Sequence, residues 1–261
     1  MKYLSTRDNS LKKSFNEILY QGLSKDGGLY LPVEWPNIDI DNLENKSYED
    51  VALEIIFPFV KENFSKGDLQ NILNESYSTF SHEKKAPVKE LETNKYILEL
   101  IYGPTYAFKD YALQFLGKLF SYSLNKNPKK ITVLGATSGD TGSAAIHAFK
   151  TNQDINVFIL HPHGKVSPMQ QKQMTTVDEE NIFNIAIEGN FDDCQKIVKT
   201  LFVDDEIQNK TSLTAINSIN WARLIAQVVY YFWSHLQIKK KDINFIVPSG
   251  NFGNIFSAYV A

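Results

Sequence analysis

Lys109 has the setting that most favours covalent chemistry. It follows the run YGPTYAF at residues 102–108, so a Gly-Pro turn and aromatic residues precede it. We expect it in the first turn of a helix, where the helix dipole and apolar neighbours disfavour an ammonium group. A neutral lysine amine can form a Schiff base. Lysines are abundant in this chain and are usually solvated surface charges, so position alone leaves both interpretations open.

Two glycine-rich segments could bind an anion through backbone N–H groups. GATSGDTG at residues 135–142 and PSGNFGN at residues 248–254 each follow an apolar run and precede helical spacing. The N–H groups that open a helix lack partners, and small residues let a ligand approach the backbone. The first segment has the spacing of neither a Walker loop, a dinucleotide-binding loop nor a hydrolase elbow. Glycine and asparagine also favour plain turns, which is the alternative for both segments.

The composition disfavours several classes of function. With 27 basic and 30 acidic residues, a net charge of −3 and no dense basic run, the chain has little attraction for nucleic acid. The single cysteine, Cys194, permits no intrachain disulfide and favours a reducing compartment. His161 and His163 have no third ligand nearby, so we expect no metal site. In the absence of a signal peptide or a long apolar segment, we expect a cytoplasmic protein with no membrane contact.

The elements that must position these residues follow from the periodicity. Helical spacing at residues 14–22 and 48–63 predicts a small, mostly helical N-terminal domain over residues 1–80. From residue 81 onward, short apolar runs alternate with amphipathic stretches, which predicts an α/β region of mainly parallel sheets flanked by helices. The predicted strands are 96–101, 131–134, 157–160, 183–187 and 245–247, and the predicted helices are 109–123, 141–150, 191–202 and 219–236. Sites in such sheets lie beyond the carboxyl ends of strands.

Three motifs carry a specific resemblance. They are YGPTYAFKD at residues 102–110, ATSGDTG at residues 136–142 and PSGNFG at residues 248–253. In this order they resemble threonine synthase, a family of pyridoxal-phosphate (PLP) enzymes in the tryptophan-synthase β-subunit structural class. Further similarity in residues 21–30, 162–170 and 217–223 extends the resemblance over essentially the whole chain. It implies a threonine-synthase-type cap domain at residues 1–80 and a PLP-binding catalytic region at residues 81–261.

The resemblance also implies a role for each matched residue. Lys109 would be the Schiff-base lysine that carries PLP. The cofactor phosphate would be bound by Gly250, Asn251, Phe252, Gly253 and Asn254. The small-molecule substrate would be bound by Thr137, Ser138, Gly139, Asp140, Thr141, Asn217, Ser218, Asn220 and Arg223. Arg223, one of only two arginines, could hold the substrate phosphate through a bidentate contact, and an ordinary ion pair is the alternative.

The implied reaction converts O-phospho-L-homoserine and water into L-threonine and phosphate, with the Lys109 amine removing the proton at Cα. On the same scaffold, elimination of phosphate without threonine formation and deamination of serine or threonine are alternatives. A non-catalytic phosphate-binding or assembly protein is another. Members of the family extend well beyond the position of Ala261, and their contact to the pyridine nitrogen comes from that later part. We therefore expect a truncated chain that makes little threonine alone.

Overall fold

The computed structural model describes residues 1–22, 24–216 and 220–261, apart from the side chain of Gln208. It divides into two compact units, one of Met1–Phe115 with Ser218–Ala261 and one of Leu116–Asn217. In chain order the elements are β1 (Tyr3–Ser5), β2 (Lys12–Lys13), α1 (Phe15–Gln21), β3 (Tyr30–Pro32), a short 3-10 turn (Asp41–Leu43), α2 (Tyr48–Val60), α3 (Lys66–Tyr77), β4 (Val88–Glu92), β5 (Lys95–Leu98), α4 (Lys109–Lys126), β6 (Ile131–Ala136), α5 (Asp140–Phe149), β7 (Ile155–Pro162), α6 (Pro168–Thr175), β8 (Ile182–Ile187), α7 (Phe191–Val203), α8 (Asp205–Lys210), β9 (Leu213–Ala215), α9 (Trp221–Ile238) and α10 (Gly253–Val260).

Serine caps begin the three helices of the first 80 residues. Ser14, Ser47 and Ser65 each accept a hydrogen bond from the backbone N–H three residues later, which satisfies one of the amides that a helix start leaves open. At α1 the Glu17 carboxylate also accepts a hydrogen bond from the Ser14 backbone N–H, and the two contacts form a capping box. The helical part of the N-terminal prediction is confirmed by these three helices.

The core of the first unit includes a cluster of tyrosine rings. Tyr48 and Tyr77 lie 5.0 Å apart between ring centroids, and Tyr111 of α4 lies 5.7 Å from Tyr230 of α9. All four side chains are buried. Edge-to-face contacts of this kind stabilise a core beyond the area that they bury, and here they join α2, α3, α4 and α9.

The second unit contains a four-stranded parallel sheet in the order β8-β7-β6-β9. Cys194 of α7 packs against Leu134 of β6 and Leu160 of β7, so this helix covers the two central strands. Phe120 of α4 meets Phe149 of α5 at 5.6 Å between ring centroids. The predicted α/β class, with a parallel sheet flanked by helices, is confirmed.

One predicted strand was wrong in its pairing, and a second predicted strand does not form. Residues 96–101 do not join a parallel sheet, because Lys95–Leu98 pairs antiparallel with Val88–Glu92 in a hairpin. Its two-residue turn places Asn94 at a φ of 63°, a conformation that asparagine tolerates. Residues 245–247 form no strand, since no described strand lies beside them and Ile246 is 98% exposed. An apolar run forms a strand only where a neighbour satisfies its backbone groups.

The strands that were not predicted include one small sheet and one edge strand. The antiparallel sheet β2-β1-β3 lies inside the N-terminal region that the periodicity assigned to helices. Strand β9 adds a parallel edge to the second unit, where Thr132 pairs with Leu213. These strands are two or three residues long, too short to produce an alternation that a sequence can display.

Within the described residues, no helix has both the length and the apolar character needed to span a membrane. The same part of the chain holds no cluster of three or more His, Cys, Asp or Glu side chains suited to a metal ion.

Candidate active site

Lys109 is the first residue of α4, as the sequence predicts. Only 8% of the residue is exposed, and its Nζ lies 4.4 Å from the centre of the Phe108 ring. Burial separates Lys109 from the solvated lysines that make up most of the basic residues, because a lysine is rarely removed from water without a specific role. The aromatic face offers a favourable contact to the cationic form.

Asp110, which follows Lys109 in the chain, was not among the predicted site residues. Its buried carboxylate accepts hydrogen bonds from the Thr105 backbone N–H at 2.8 Å, the Thr105 hydroxyl at 2.9 Å and Gln114 Nε2 at 3.3 Å. Burial raises the pKa of Asp110, and these hydrogen bonds oppose that rise. A Cβ at Gly103 would lie 2.5 Å from the Asp110 side chain, so only glycine fits there. The sequence signal was an acidic residue in the first turn of the helix that begins with Lys109.

The segment before α10 is open to solvent. Gly250 has no other atom within 4 Å of the place where a Cβ would stand, and Asn251 and Phe252 are exposed. Phe252 has a φ of 59°, in the left-handed region, and directly precedes the first helical residue Gly253. The Gly253 N–H donates to Asn251 Oδ1 at 3.4 Å. The segment therefore presents the exposed residues Gly250, Asn251 and Phe252 at a helix start, where anions are favoured.

Two tyrosines of α9 hold the next residue, Asn254. The Tyr231 hydroxyl donates to the Asn254 backbone carbonyl at 3.1 Å and to its Oδ1 at 2.8 Å, and the Tyr230 hydroxyl donates to the same Oδ1. The sequence analysis did not place these tyrosines in the site. Adjacent aromatics in an apolar helix are ordinarily core residues, so no local pattern identifies their contact across 23 residues.

The Thr137–Thr141 segment in the second unit connects β6 to α5. Thr137 is buried, and its hydroxyl accepts from the backbone N–H groups of Gly139 and Gly142, both at 2.9 Å. Ser138 is exposed, whereas Asp140 and Thr141 are half-buried. Thr137 thus supports the turn from inside, and the neighbouring side chains line the start of the helix.

Gln170 of α6 is a further residue that was not among the predicted site residues. Its Nε2 donates to Asp140 Oδ1, and its Oε1 accepts from the Ser167 hydroxyl at 2.9 Å. Gly139 has a φ of 146°, and a Cβ there would stand 2.1 Å from Gln170 Oε1. The positive φ favours glycine at 139, and any Cβ there would displace the Gln170 side chain. Gln170 lies in the segment 162–170, which is one of those that carry the family resemblance. The sequence alone does not reveal its contact with Asp140.

The start of α9 contains two of the predicted substrate residues. Asn220 is fully buried, where its Oδ1 caps the Ala222 N–H at 2.9 Å and its Nδ2 donates to the Leu19 carbonyl at 3.0 Å. Arg223 is also fully buried, and this burial lowers its pKa to about 10. Asn217 and Ser218 lie outside the described residues.

Lys109 is linked to the segment before α10 through the first unit. Tyr111, two residues after Lys109, meets the ring of Tyr230, whose hydroxyl reaches Asn254. Asn220 and Arg223 belong to the same unit, while Thr137–Thr141 belongs to the second. The predicted site residues are thus divided between the two units.

Two family profiles match the chain. The profile described as threonine synthase N terminus matches residues 2–77, and the profile described as pyridoxal-phosphate dependent enzyme matches residues 82–261.

Individual relatives agree with these profiles. The threonine synthase of Pseudomonas aeruginosa is 46% identical over 266 residues, covering 100% of this chain and 57% of the relative. The threonine synthase of Saccharomyces cerevisiae is 46% identical over 281 residues, covering 99% and 55%. A crystal structure of PLP-bound threonine synthase from Brucella melitensis matches with a TM-score of 0.92 at 46% identity, covering 100% of this chain and 57% of that chain. The chain therefore spans little more than half the length of these relatives.

Proposed function

Because the chain belongs to the family of pyridoxal-phosphate dependent enzymes, we propose that it carries its cofactor on Lys109 and serves threonine synthesis from O-phospho-L-homoserine and water. The observation that carries this proposal is the succession of two profiles, a threonine synthase N terminus followed by the PLP-dependent region. We place the domain boundary between residues 80 and 81, in the short gap between the two matches.

The residues of the first unit fit the cofactor. Lys109 offers a buried amine beside the Phe108 ring, and the open segment Gly250–Asn254 at the start of α10 offers backbone N–H groups for a phosphate. Gly250 leaves room for a bound group to approach the chain. When bound, PLP supplies a conjugated pyridine ring that accepts the electron pair left by a departing proton.

In this proposal, Lys109 has two tasks. Its Nζ holds the cofactor, and after release it takes the proton from Cα of the substrate. Burial helps both tasks because it keeps water away from the amine. Asp110 fixes the residues before Lys109 through Thr105, so we assign it a positioning role.

The remaining predicted residues are assigned to the substrate. Thr137, Ser138, Gly139, Asp140 and Thr141 surround the start of α5, where a substrate carboxylate would meet a helix N-terminus. We assign Arg223 to the substrate phosphate, because a guanidinium offers a planar pair of donors. Asn220 acts through the α9 cap that it forms, and Asn217 and Ser218 complete this group by their place in the motif.

The test uses this chain and a fusion to the remaining part of the Pseudomonas aeruginosa relative. O-phospho-L-homoserine is supplied with PLP, and phosphate, threonine and 2-oxobutyrate are measured. Threonine and phosphate in equal amounts from the fusion, with loss of both in its Lys109→Ala variant, is the expected result. Phosphate with 2-oxobutyrate and ammonia would replace the proposal with a phospho-lyase. A folded fusion that binds PLP without forming either product would favour a non-catalytic protein.

A further inference from the structure

The contact between α9 and α10 converges on one side chain. Tyr231 shares its hydroxyl proton between the Asn254 backbone carbonyl and Oδ1, and Tyr230 donates to the same Oδ1. One turn further along α10, the buried Ser257 hydroxyl lies 3.2 Å from the Leu224 carbonyl and 3.4 Å from Gln227 Oε1. Hydrogen bonds therefore join α10 to α9 at two positions one turn apart, Asn254 and Ser257.

Both tyrosines must act as donors in this contact. Burial raises the pKa of Tyr231 to about 12 and that of Tyr230 well above its ordinary value, so both hydroxyls keep their protons at neutral pH. An amide oxygen can accept two hydrogen bonds, and Asn254 Oδ1 does so here. Its Nδ2 group consequently faces away from both hydroxyls, and it donates to no residue that the structure describes.

We propose that Tyr231 and Tyr230 are positioning residues for the cofactor phosphate, which hold Asn254 so that its Nδ2 group remains available to that phosphate. This inference rests on the proposed function. It adds that the preference for a phosphorylated cofactor depends on the hydroxyls of Tyr230 and Tyr231, which lie outside the segment Gly250–Asn254. Tyr230 also touches Tyr111, so the same side chain bears on the helix that begins with Lys109.

The test compares affinities for PLP and for pyridoxal, which lacks the phosphate, in the 261-residue chain. We expect Tyr231→Phe to lower PLP affinity about tenfold, because it releases Asn254 from two of the hydrogen bonds that orient it, and to leave pyridoxal affinity within about twofold. The matched control is Tyr30→Phe, whose hydroxyl bonds Gln21 instead of Asn254. The control should keep the unmodified ratio of the two affinities.

A second variant covers the case in which Tyr231→Phe fails to fold. Asn254→Asp keeps two acceptors for the tyrosine hydroxyls but replaces the Nδ2 donor with a negative charge. It should therefore lose PLP affinity while retaining pyridoxal. Hydrogen exchange of residues 252–257 gives a readout without cofactor, and Tyr231→Phe should speed it relative to Tyr30→Phe.

The possible outcomes separate the two proposals. An unmodified chain that binds PLP no better than pyridoxal would overturn the proposed phosphate site and this inference with it. A chain that prefers PLP, and retains that preference in Tyr231→Phe or Asn254→Asp, would overturn only the positioning role. Equal losses of PLP and pyridoxal affinity would also overturn it, because a general structural effect does not discriminate by phosphate.

Discussion

The carboxylate of Asp110 accepts hydrogen bonds from both the backbone N–H and the hydroxyl of Thr105, at 2.8 and 2.9 Å. Two short contacts from one residue fix the turn before α4 against the first turn of that helix. Lys109 lies between the two partners in sequence, so its position depends on this pair.

We expect Asp110→Asn to destabilise the chain by about 1–3 kcal/mol, because one carboxylate oxygen becomes an NH2 group that cannot accept from Thr105. Urea unfolding monitored by circular dichroism measures the change. Asp8→Asn is the control, since Asp8 accepts from Ser10 in an exposed turn and its replacement should cost much less. Equal losses in the two variants would contradict a special role for the buried pair.

Borohydride reduction of the PLP-loaded chain should attach a pyridoxyl group to the peptide that contains Lys109. Lys109 is the predicted attachment point, and the residue is buried with its amine beside the Phe108 ring. Peptide mapping by mass spectrometry locates the group. The exposed Lys130 provides the matched control, because Lys130→Ala should keep the label that Lys109→Ala loses. A label on another lysine of the unmodified chain would refute the assignment.

Gly139→Ala should destabilise the chain by about 1–3 kcal/mol, since the backbone at 139 is in a conformation that favours glycine and the new Cβ would strike Gln170. Gly67→Ala is the opposite case. Position 67 lies in α3 with open space around it, and alanine there should stabilise by about 0.4–1 kcal/mol. Thermal unfolding of both variants checks the pair, and a stabilised Gly139→Ala would show that the loop can rearrange.

Glu17 should make stability fall in acid. The Ser14 backbone N–H, together with Lys13 and the Ser14 hydroxyl, lowers the pKa of Glu17 from 4.5 to about 2. The unfolded chain therefore takes up a proton at higher pH than the folded chain. The stabilisation is present above pH 4.5 and is lost as the pH falls toward 2. Glu17→Gln should flatten this part of the urea-unfolding profile, and parallel profiles for the two proteins would argue against the shift.

Residues that repeat at regular spacing were predictable. The apolar run at 131–134 led to β6 and the helical spacing at 48–63 to α2, because burial of one face leaves a periodic trace in the sequence. Lys109 could be placed at a helix start for a related reason, since a Gly-Pro turn precedes it. The specific motifs, more than the periodicity, pointed to the family.

Contacts between distant residues were not predictable. Gln170 reaches Asp140 across 30 residues and Tyr231 reaches Asn254 across 23, and neither pair has a spacing that a single helix or strand would impose. Residues 245–247 show the opposite failure, because an apolar run indicates a strand only if a partner strand is present. Local patterns record which face of an element is buried, and they do not record what lies against that face.

The strand order β8-β7-β6-β9 affects the order in which the strands can pair during folding. One edge of β6 pairs with β7, which follows it in the chain after one helix. The other edge of β6 pairs with β9, which comes roughly eighty residues after β6. Closing the longer loop costs more entropy, and until it closes β6 presents unpaired backbone groups to any passing strand. During synthesis this edge of β6 therefore stays unpaired until β9 has been made. In pulse-labelled hydrogen exchange, amides of β7 should gain protection before those of β9, and the interval between them is the period of greatest risk of aggregation.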